Sequence, residues 1–233
     1  MNVMIVGAGG GIGRALLEVY ERSPGIQRIY ATHHRPVSSC APTVQWIQVD
    51  LSDPDSVAAL AQQVDQPINR WICCSGILAG AHGQPEKTLR QLAAAKLQHD
   101  YQVNAVGPLS AFSVLAPRLR DTDMRAAFLS AQVGSIEDNR LGGWYGYRMS
   151  KAALNMGIKC LAIECSRWRS LPTIVAVHPG TTTTNLSRAF TKTRKEPVQS
   201  AADCAAQLFE LVESLVPEQS GRFLRLNGQS LPW

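Results

Sequence analysis

Tyr147 and Lys151 stand four residues apart in Tyr147-Arg148-Met149-Ser150-Lys151. On a helix that spacing puts a phenol and an ammonium on one face, one turn apart. A free phenol ionises at about pH 10, too high for efficient proton exchange at neutral pH. A neighbouring cation favours the phenolate, so the spacing predicts that Lys151 lowers the Tyr147 pKa and makes it a general acid/base. Tyr145 is the poorer candidate, because Met149 occupies its matching position. Taken alone, the pair equally describes a packed tyrosine beside a solvated lysine, and the surrounding elements must decide.

A second signature lies at Gly7, Gly11 and Gly13, which follow an apolar run and open a helical pattern. Bare backbone there lets a pyrophosphate approach the free N–H groups of a helix start. The spacing is G-x-x-x-G-x-G; read as G-x-G-x-x-G from Gly7 it would put Ile12 where the last glycine falls. A tight strand-to-helix turn also uses such glycines. Where an acidic residue would bind the adenosine ribose hydroxyls, the chain has Thr32-His33-His34-Arg35. With no carboxylate to repel a 2′-phosphate and Arg35 to pair with one, NADP(H) is favoured over NAD(H); the other reading is a surface basic cluster. Asp50 either lines an adenine pocket or caps the helix beginning near Pro54.

Seven short apolar or β-branched runs are strand candidates: Asn2–Val6, Arg28–Thr32, Val44–Val49, Arg70–Cys74, Arg125–Ser130, Thr173–His178 and Gly221–Leu226. Helical patterns at Gly11–Glu21, Pro54–Gln63, Pro85–Val103, Pro108–Leu119, Trp144–Trp168 and Ser200–Leu215 separate them. This alternation predicts one doubly wound α/β domain over residues 1–233, a seven-stranded parallel sheet with helices on both faces. No repeat or Gly/Ser linker marks a boundary. Thr181–Gln199, rich in Thr, Lys and Arg, is the least patterned stretch and is read as a substrate loop.

The 23 basic and 18 acidic residues give a net charge of +5 without a run of like charge, so no nucleic-acid partner is expected. Met1–Val6 lacks the basic lead and long apolar stretch of a signal peptide, and no run reaches the ~18 apolar residues of a membrane span. The expectation is a cytoplasmic protein with no membrane partner. Cys40, Cys73, Cys74, Cys160, Cys165 and Cys204 form no C-x-x-C pair and are read as reduced core residues, with no metal site.

Gly7-x-x-x-Gly11-x-Gly13, Val103-Asn104-Ala105, Tyr147-x-x-x-Lys151 and Pro179-Gly180, in this order and spacing, resemble the short-chain dehydrogenase/reductase family over essentially the whole chain. Gly134-Ser135-Ile136 and the run from Gly142 to Asn155 look particularly like its C-factor-like and sniffer-like carbonyl reductase branch. The resemblance implies that Tyr147 protonates a carbonyl oxygen while a nicotinamide delivers hydride. Lys151 would also hold the nicotinamide ribose, and Asn104 would bend a helix and anchor a relay water. It further implies cofactor contacts at Gly7, Gly11, Ile12, Gly13, Arg35, Asp50, Leu51, Ser75, Gly76, Pro179, Gly180, Thr182 and Thr184. A small carbonyl or alcohol substrate and a homodimer or homotetramer are implied as partners, the latter pairing through Pro108–Leu119 and Trp144–Trp168.

Three positions depart from the family pattern. Val6 replaces the usual threonine before the first glycine. Cys73-Cys74-Ser75-Gly76 replaces Asn-Asn-Ala-Gly. Ala131 stands where the substrate-orienting serine is expected, leaving Ser135 and the adjacent Ser130 as candidates; strand alternation turns Ser130 the other way. Leu141, Trp144 and the 181–199 loop are expected to shape an apolar pocket, and Trp233 to be a docked anchor. The loss of the serine motivates an alternative, a dinucleotide-binding signalling protein with little catalysis.

Overall fold

The computed structural model describes residues 1–35, 41–188 and 198–233. Its strands are β1 Asn2–Val6, β2 Arg28–His33, β3 Val44–Gln48, β4 Arg70–Cys73, β5 Arg125–Leu129, β6 Thr173–His178 and β7 Phe223–Arg225. They form one parallel sheet in the order β3-β2-β1-β4-β5-β6-β7. Chain order reverses between β1 and β4, and in open α/β sheets ligands bind in the crevice beyond the carboxyl ends at such a point. Both faces are covered, which is why β1 reads as a continuous apolar run: Val3, Met4, Ile5 and Val6 are all fully buried.

The helices are α1 Gly11–Arg22, α2 Pro54–Ala58, α3 Leu60–Gln63, α4 Ala94–Tyr101, α5 Gly107–Val114, α6 Ala116–Leu119, α7 Tyr145–Cys165 and α8 Ala201–Ser214. On one face Leu16 and Leu17 of α1 and Leu208 and Leu211 of α8 pack on Ile5, Ile72 and Val175. On the other, Leu60, Phe112, Leu154 and Ile158 pack on Met4, Tyr30, Trp71 and Phe128. These two cores hold the sheet rigid beneath the crevice.

Several boundaries differ from the sequence reading. The helix expected over Pro85–Val103 is α-helical only over Ala94–Tyr101, preceded by a 3-10 turn at Leu89–Gln91. The stretch before it is used elsewhere: Gly80 and Gly83 pair as an isolated bridge, and Glu86 is buried. The helix expected over Pro108–Leu119 breaks at Leu115, because Pro117 has no N–H for the carbonyl one turn back. The helix over Pro54–Gln63 also divides, and its cap is Asp53, whose side chain accepts from Asp55 N, rather than Asp50. Between α4 and α5 the chain makes a π turn at Gln102–Val106. Pro108 follows it and offers no donor to the Asn104 carbonyl, while Gly107 allows a close approach to Leu51 that a Cβ would block.

Cys73, Cys165 and Cys204 are buried free thiols as expected, Cys74 is half-buried, and Cys40 lies outside the described residues. Cys160 is a correction: it is exposed on α7. Among the described residues no helix is long and apolar enough to cross a membrane.

Candidate active site

The glycine loop leaves β1 and turns directly into α1. Gly7 has φ +83, and a Cβ there would lie 2.8 Å from Ser75 N. A Cβ on Gly13 would overlap the Gly7 carbonyl oxygen, so helix and loop close only with glycine at both places. Thr32 Oγ1 accepts from Gly7 N at 2.8 Å, bracing the loop that lacks the threonine replaced by Val6. No side chain caps the start of α1 and its first turn holds no acid, which leaves its amides open to an anion. Ile12 packs into the α1 side of the core.

Beyond the carboxyl ends of β4 and β5, residues far apart in sequence converge on Gly76. A Cβ on Gly76 would meet Lys151 Nζ at 3.3 Å and Asn104 Oδ1 at 3.4 Å. Asn104, fully buried in the π turn, accepts from Ile77 N at 2.7 Å and donates to Ile77 O at 2.9 Å. Its Nδ2 also reaches Ser150 Oγ at 3.0 Å, and Ser150 donates to Tyr147 O at 2.9 Å. Asn104 thus ties the segment after β4 to the first turns of α7. Ser150 and Ile77 were missed by sequence reasoning, although Gly107-Pro108 just after Asn104 is a legible signal for the interrupted helix. Ser75 Oγ lies 3.1 Å from Cys73 Sγ, and Cys74 N donates to Val6 O, so this segment is braced without the family's asparagine.

Tyr147 and Lys151 share a face of α7, with Lys151 Nζ 5.9 Å from the phenol ring centroid. The expected depressed phenol is not found. Burial, with the Asp100 charge adding to it, pushes Tyr147 up to about 12. Burial also brings Lys151 down to about 8, against smaller opposing contributions from Cys73 and Cys74. The physical reason is that both groups are withdrawn from water: the ammonium donates to Leu129 O at 2.9 Å and lies over the ring, and neither contact makes up for the lost solvation. Desolvation therefore outweighs the pairing that spacing alone suggests.

Both candidate serines spend their hydroxyls elsewhere. Ser130 donates to Asn155 Oδ1 at 2.5 Å; Ser135 donates to Trp233 O at 3.0 Å and accepts from Asp138 N. The Trp233 carbonyl also accepts from Ile136 N and Glu137 N, and its ring stacks on Phe223, a docked anchor as expected. Trp144 is half-buried, its ring 6.4 Å from that of Tyr147, whereas Leu141 is 91% exposed and lines no interior pocket.

Past the end of β2, Arg35 is exposed and its carbonyl meets His33 Nδ1 at 2.8 Å. Arg14, also missed in the sequence despite following Gly13 directly, lies 5.6 Å over the Trp46 ring, which itself packs edge-on to His33. Asp50 accepts from Ser52 N and Oγ, which lowers its pKa, and sits 3.8 Å from His34 Nδ1. Leu51 is nearly buried. On the opposite side of the crevice, Gly180 has φ +72, Pro179 O accepts from Gln199 Nε2, and Thr182 Oγ1 accepts from the same amide at 3.1 Å. Thr184 presses its methyl toward the glycine loop, where a Cβ on Gly11 would come within 2.8 Å of it. Of the expected substrate loop, residues 189–197 lie outside the described residues.

A glycine loop at a switch point, facing a Tyr-Lys helix across the crevice, defines a dinucleotide-binding dehydrogenase of the α/β class. The sequence model of the family "short chain dehydrogenase" matches residues 1–195, and the chain belongs to that family. It is 33% identical over 140 residues to C-signal of Myxococcus xanthus, covering 60% of this chain and 80% of that protein. Among solved structures, the carbonyl reductase Sniffer of D. melanogaster has a TM-score of 0.84 at 22% identity, covering 100% of this chain and 99% of that one. A carbonyl reductase from Pseudomonas aeruginosa PAO1 in complex with NADP has a TM-score of 0.79 at 25% identity, with the same coverage. The C-signal likeness agrees with the C-factor-like branch that the residues from Gly134 to Asn155 resemble, and the Sniffer likeness is one of fold.

Proposed function

We propose that this chain is an NADP(H)-dependent oxidoreductase acting on a carbonyl or alcohol group, with Tyr147 as the proton-exchanging residue. The observation that carries this reading is the convergence of Lys151 and Asn104 on Gly76, on the helix face shared with Tyr147 and beside the glycine loop. The bound nicotinamide supplies or accepts the hydride. The protein's own residues do the rest. The open amides of Gly11, Ile12 and Gly13 suit the pyrophosphate. Ser75, Gly76, Asp50 and Leu51 line the crevice floor, and Pro179, Gly180, Thr182 and Thr184 its nicotinamide side. Lys151 is placed to hold the ribose hydroxyls.

A phenol pushed up to about 12 is protonated at neutral pH. That is the state able to donate to a carbonyl oxygen as negative charge builds on it. Arg14, His34 and Arg35 around the end of β2 support preference for a 2′-phosphorylated cofactor. Exposed Tyr101 on α4 and exposed Met149, Met156 and Ile163 on α7 support a homodimer or homotetramer, whereas Ile158 is core.

The test is fluorescence titration with NADPH and NADH, then turnover of a panel of aldehydes, ketones and quinones. Tyr147→Phe is expected to lose about 10²–10⁴-fold in kcat with cofactor affinity retained. A protein that binds neither cofactor overturns the reading. The engaged hydroxyls of Ser130 and Ser135 favour one alternative, a dinucleotide-binding signalling protein with little turnover. Tight NADPH binding without reduction of any carbonyl in the panel would select it.

A further inference from the structure

Three charged side chains lie buried together against the start of α7, among them the Asp100 whose charge adds to the rise of the Tyr147 pKa. Glu86, Lys96 and Asp100 are 1%, 4% and 2% exposed. Lys96 Nζ pairs with Asp100 Oδ2 and lies 3.9 Å from Glu86 Oε1. Glu86 reaches α7 twice: its carboxylate Oε2 accepts from Gly146 N at 3.2 Å, and its main-chain carbonyl accepts from Trp144 N at 2.5 Å. Glu86 Oε1 is buried without a hydrogen-bond partner among the described residues. A Cβ on Gly146 would overlap Asp100 Oδ2 and come within 3.2 Å of Glu86 Oε1. Only glycine lets the helix start rest directly on the two carboxylates.

The turn that these groups hold is conformationally unfavourable. Gly142, Gly143 and Trp144 have φ of +62, +63 and +49 in succession, a left-handed backbone that the bulky Trp144 adopts only when its surroundings impose it. Arg148 grips the same turn through the Gly142 and Gly143 carbonyls at 3.1 and 3.0 Å. The helix that follows is 21 residues long, and its own N-cap residue supplies no side-chain acceptor. A carboxylate from outside the helix therefore does what an N-cap side chain normally does, satisfying an amide of the first turn and opposing the helix dipole. Burying three charges is a poor way to gain stability, and replacing such a group with apolar side chains is often neutral. Its placement one residue before Tyr147 gives it a different use.

We propose that Glu86, supported by Lys96 and Asp100, is a positioning residue: it clamps the left-handed turn 142–144 and the start of α7, and so fixes the direction of the Tyr147 phenol. This rests on Tyr147 being the proton donor, but the clamp itself is measurable without turnover.

The experiment compares Glu86→Ala, Glu86→Gln and wild type by amide hydrogen exchange over residues 142–148, NADPH titration, and kcat and KM for the best carbonyl substrate of the panel. Glu86→Ala is expected to speed exchange at residues 144–148 by about tenfold or more and to lower kcat by about tenfold or more, with KM and NADPH affinity within about twofold. Glu86→Gln keeps an oxygen acceptor for Gly146 N and should recover both to within about threefold. The solvent isotope effect on kcat should rise in Glu86→Ala as proton transfer becomes slower. Should that variant fail to fold, Gly146→Ala disturbs the same contact from the helix side and should give the same split between kcat and affinity. Unchanged exchange overturns the clamp; faster exchange with unchanged kcat, or an equal collapse in both Glu86 variants, overturns the positioning role. A wild type that binds no NADPH brings down the enzymatic reading instead, and the exchange data then decide the clamp alone.

Discussion

Replacing the buried lysine, Lys151→Met, is expected to stabilise the cofactor-free protein while removing its activity. Lys151 is 2% exposed, and burial lowers its pKa from the ordinary 10.5 to about 8. At 1.36 kcal/mol per unit, keeping that ammonium charged at neutral pH costs up to about 3 kcal/mol of folding free energy. The variant also loses the bond to Leu129 O, worth about 1 kcal/mol. The net gain is about 2 kcal/mol, a Tm rise of about 4–8 °C for a domain of this size. The sign with pH follows from proton counts. Between about 8 and 10.5 the unfolded chain holds a proton that the folded lysine has released, so wild-type stability from this group rises with pH through that window. The advantage of the variant is therefore full below about 8 and gone above 10.5. Thermal and urea unfolding of both proteins, without cofactor, at about pH 7 and about pH 10.5 measure it. A variant less stable than wild type at the lower pH, or an advantage equal at both, would refute the reasoning.

The same lysine should shape the kinetics: kcat/KM for NADPH is expected to fall about tenfold from pH 7 to pH 9 as the ammonium is lost, and a Lys151→Arg profile to stay flat over that range. Gly13→Ala drives a Cβ into the Gly7 carbonyl, so chemical denaturation should show a loss of about 1–3 kcal/mol, with weakened cofactor binding in titrations. Arg35→Ala should weaken NADPH about tenfold and leave NADH unchanged; an equal loss for both would show that Arg35 does not read the 2′-phosphate.

Much of the frame was legible because burial on both faces writes itself into composition. The runs at Asn2–Val6 and Thr173–His178 appear as strands with those same ends, since Val3–Val6 and Ile174–Val177 pack alternately on one core and the other. Glycine spacing, likewise, is a local steric requirement that sequence records. What escaped reading depends on contacts between distant segments. Pro85–Ala93 has helical patterning, yet Glu86 is held by Trp144 and Gly146. The i,i+4 spacing places Lys151 beside Tyr147 but says nothing of the dielectric around them, and burial moved both pKa values opposite to pairing. Strand alternation could orient Ser130, but not reveal that Asn155 would take its hydroxyl, nor that Trp233 would take that of Ser135.

The π turn at Gln102–Val106 works as a phase slip in a long rod. One extra residue per turn rotates everything after it by about 100° relative to an unbroken α-helix. Lys96 and Asp100, upstream, therefore look toward α7, while Ala111 and Phe112, downstream, look into the sheet core. Deleting a single residue there would take the slip out of the rod and turn one half about 100° against the other. Asn104 would be dialled off Ile77, so the irregularity is what allows one shaft to serve two neighbours with different angular demands.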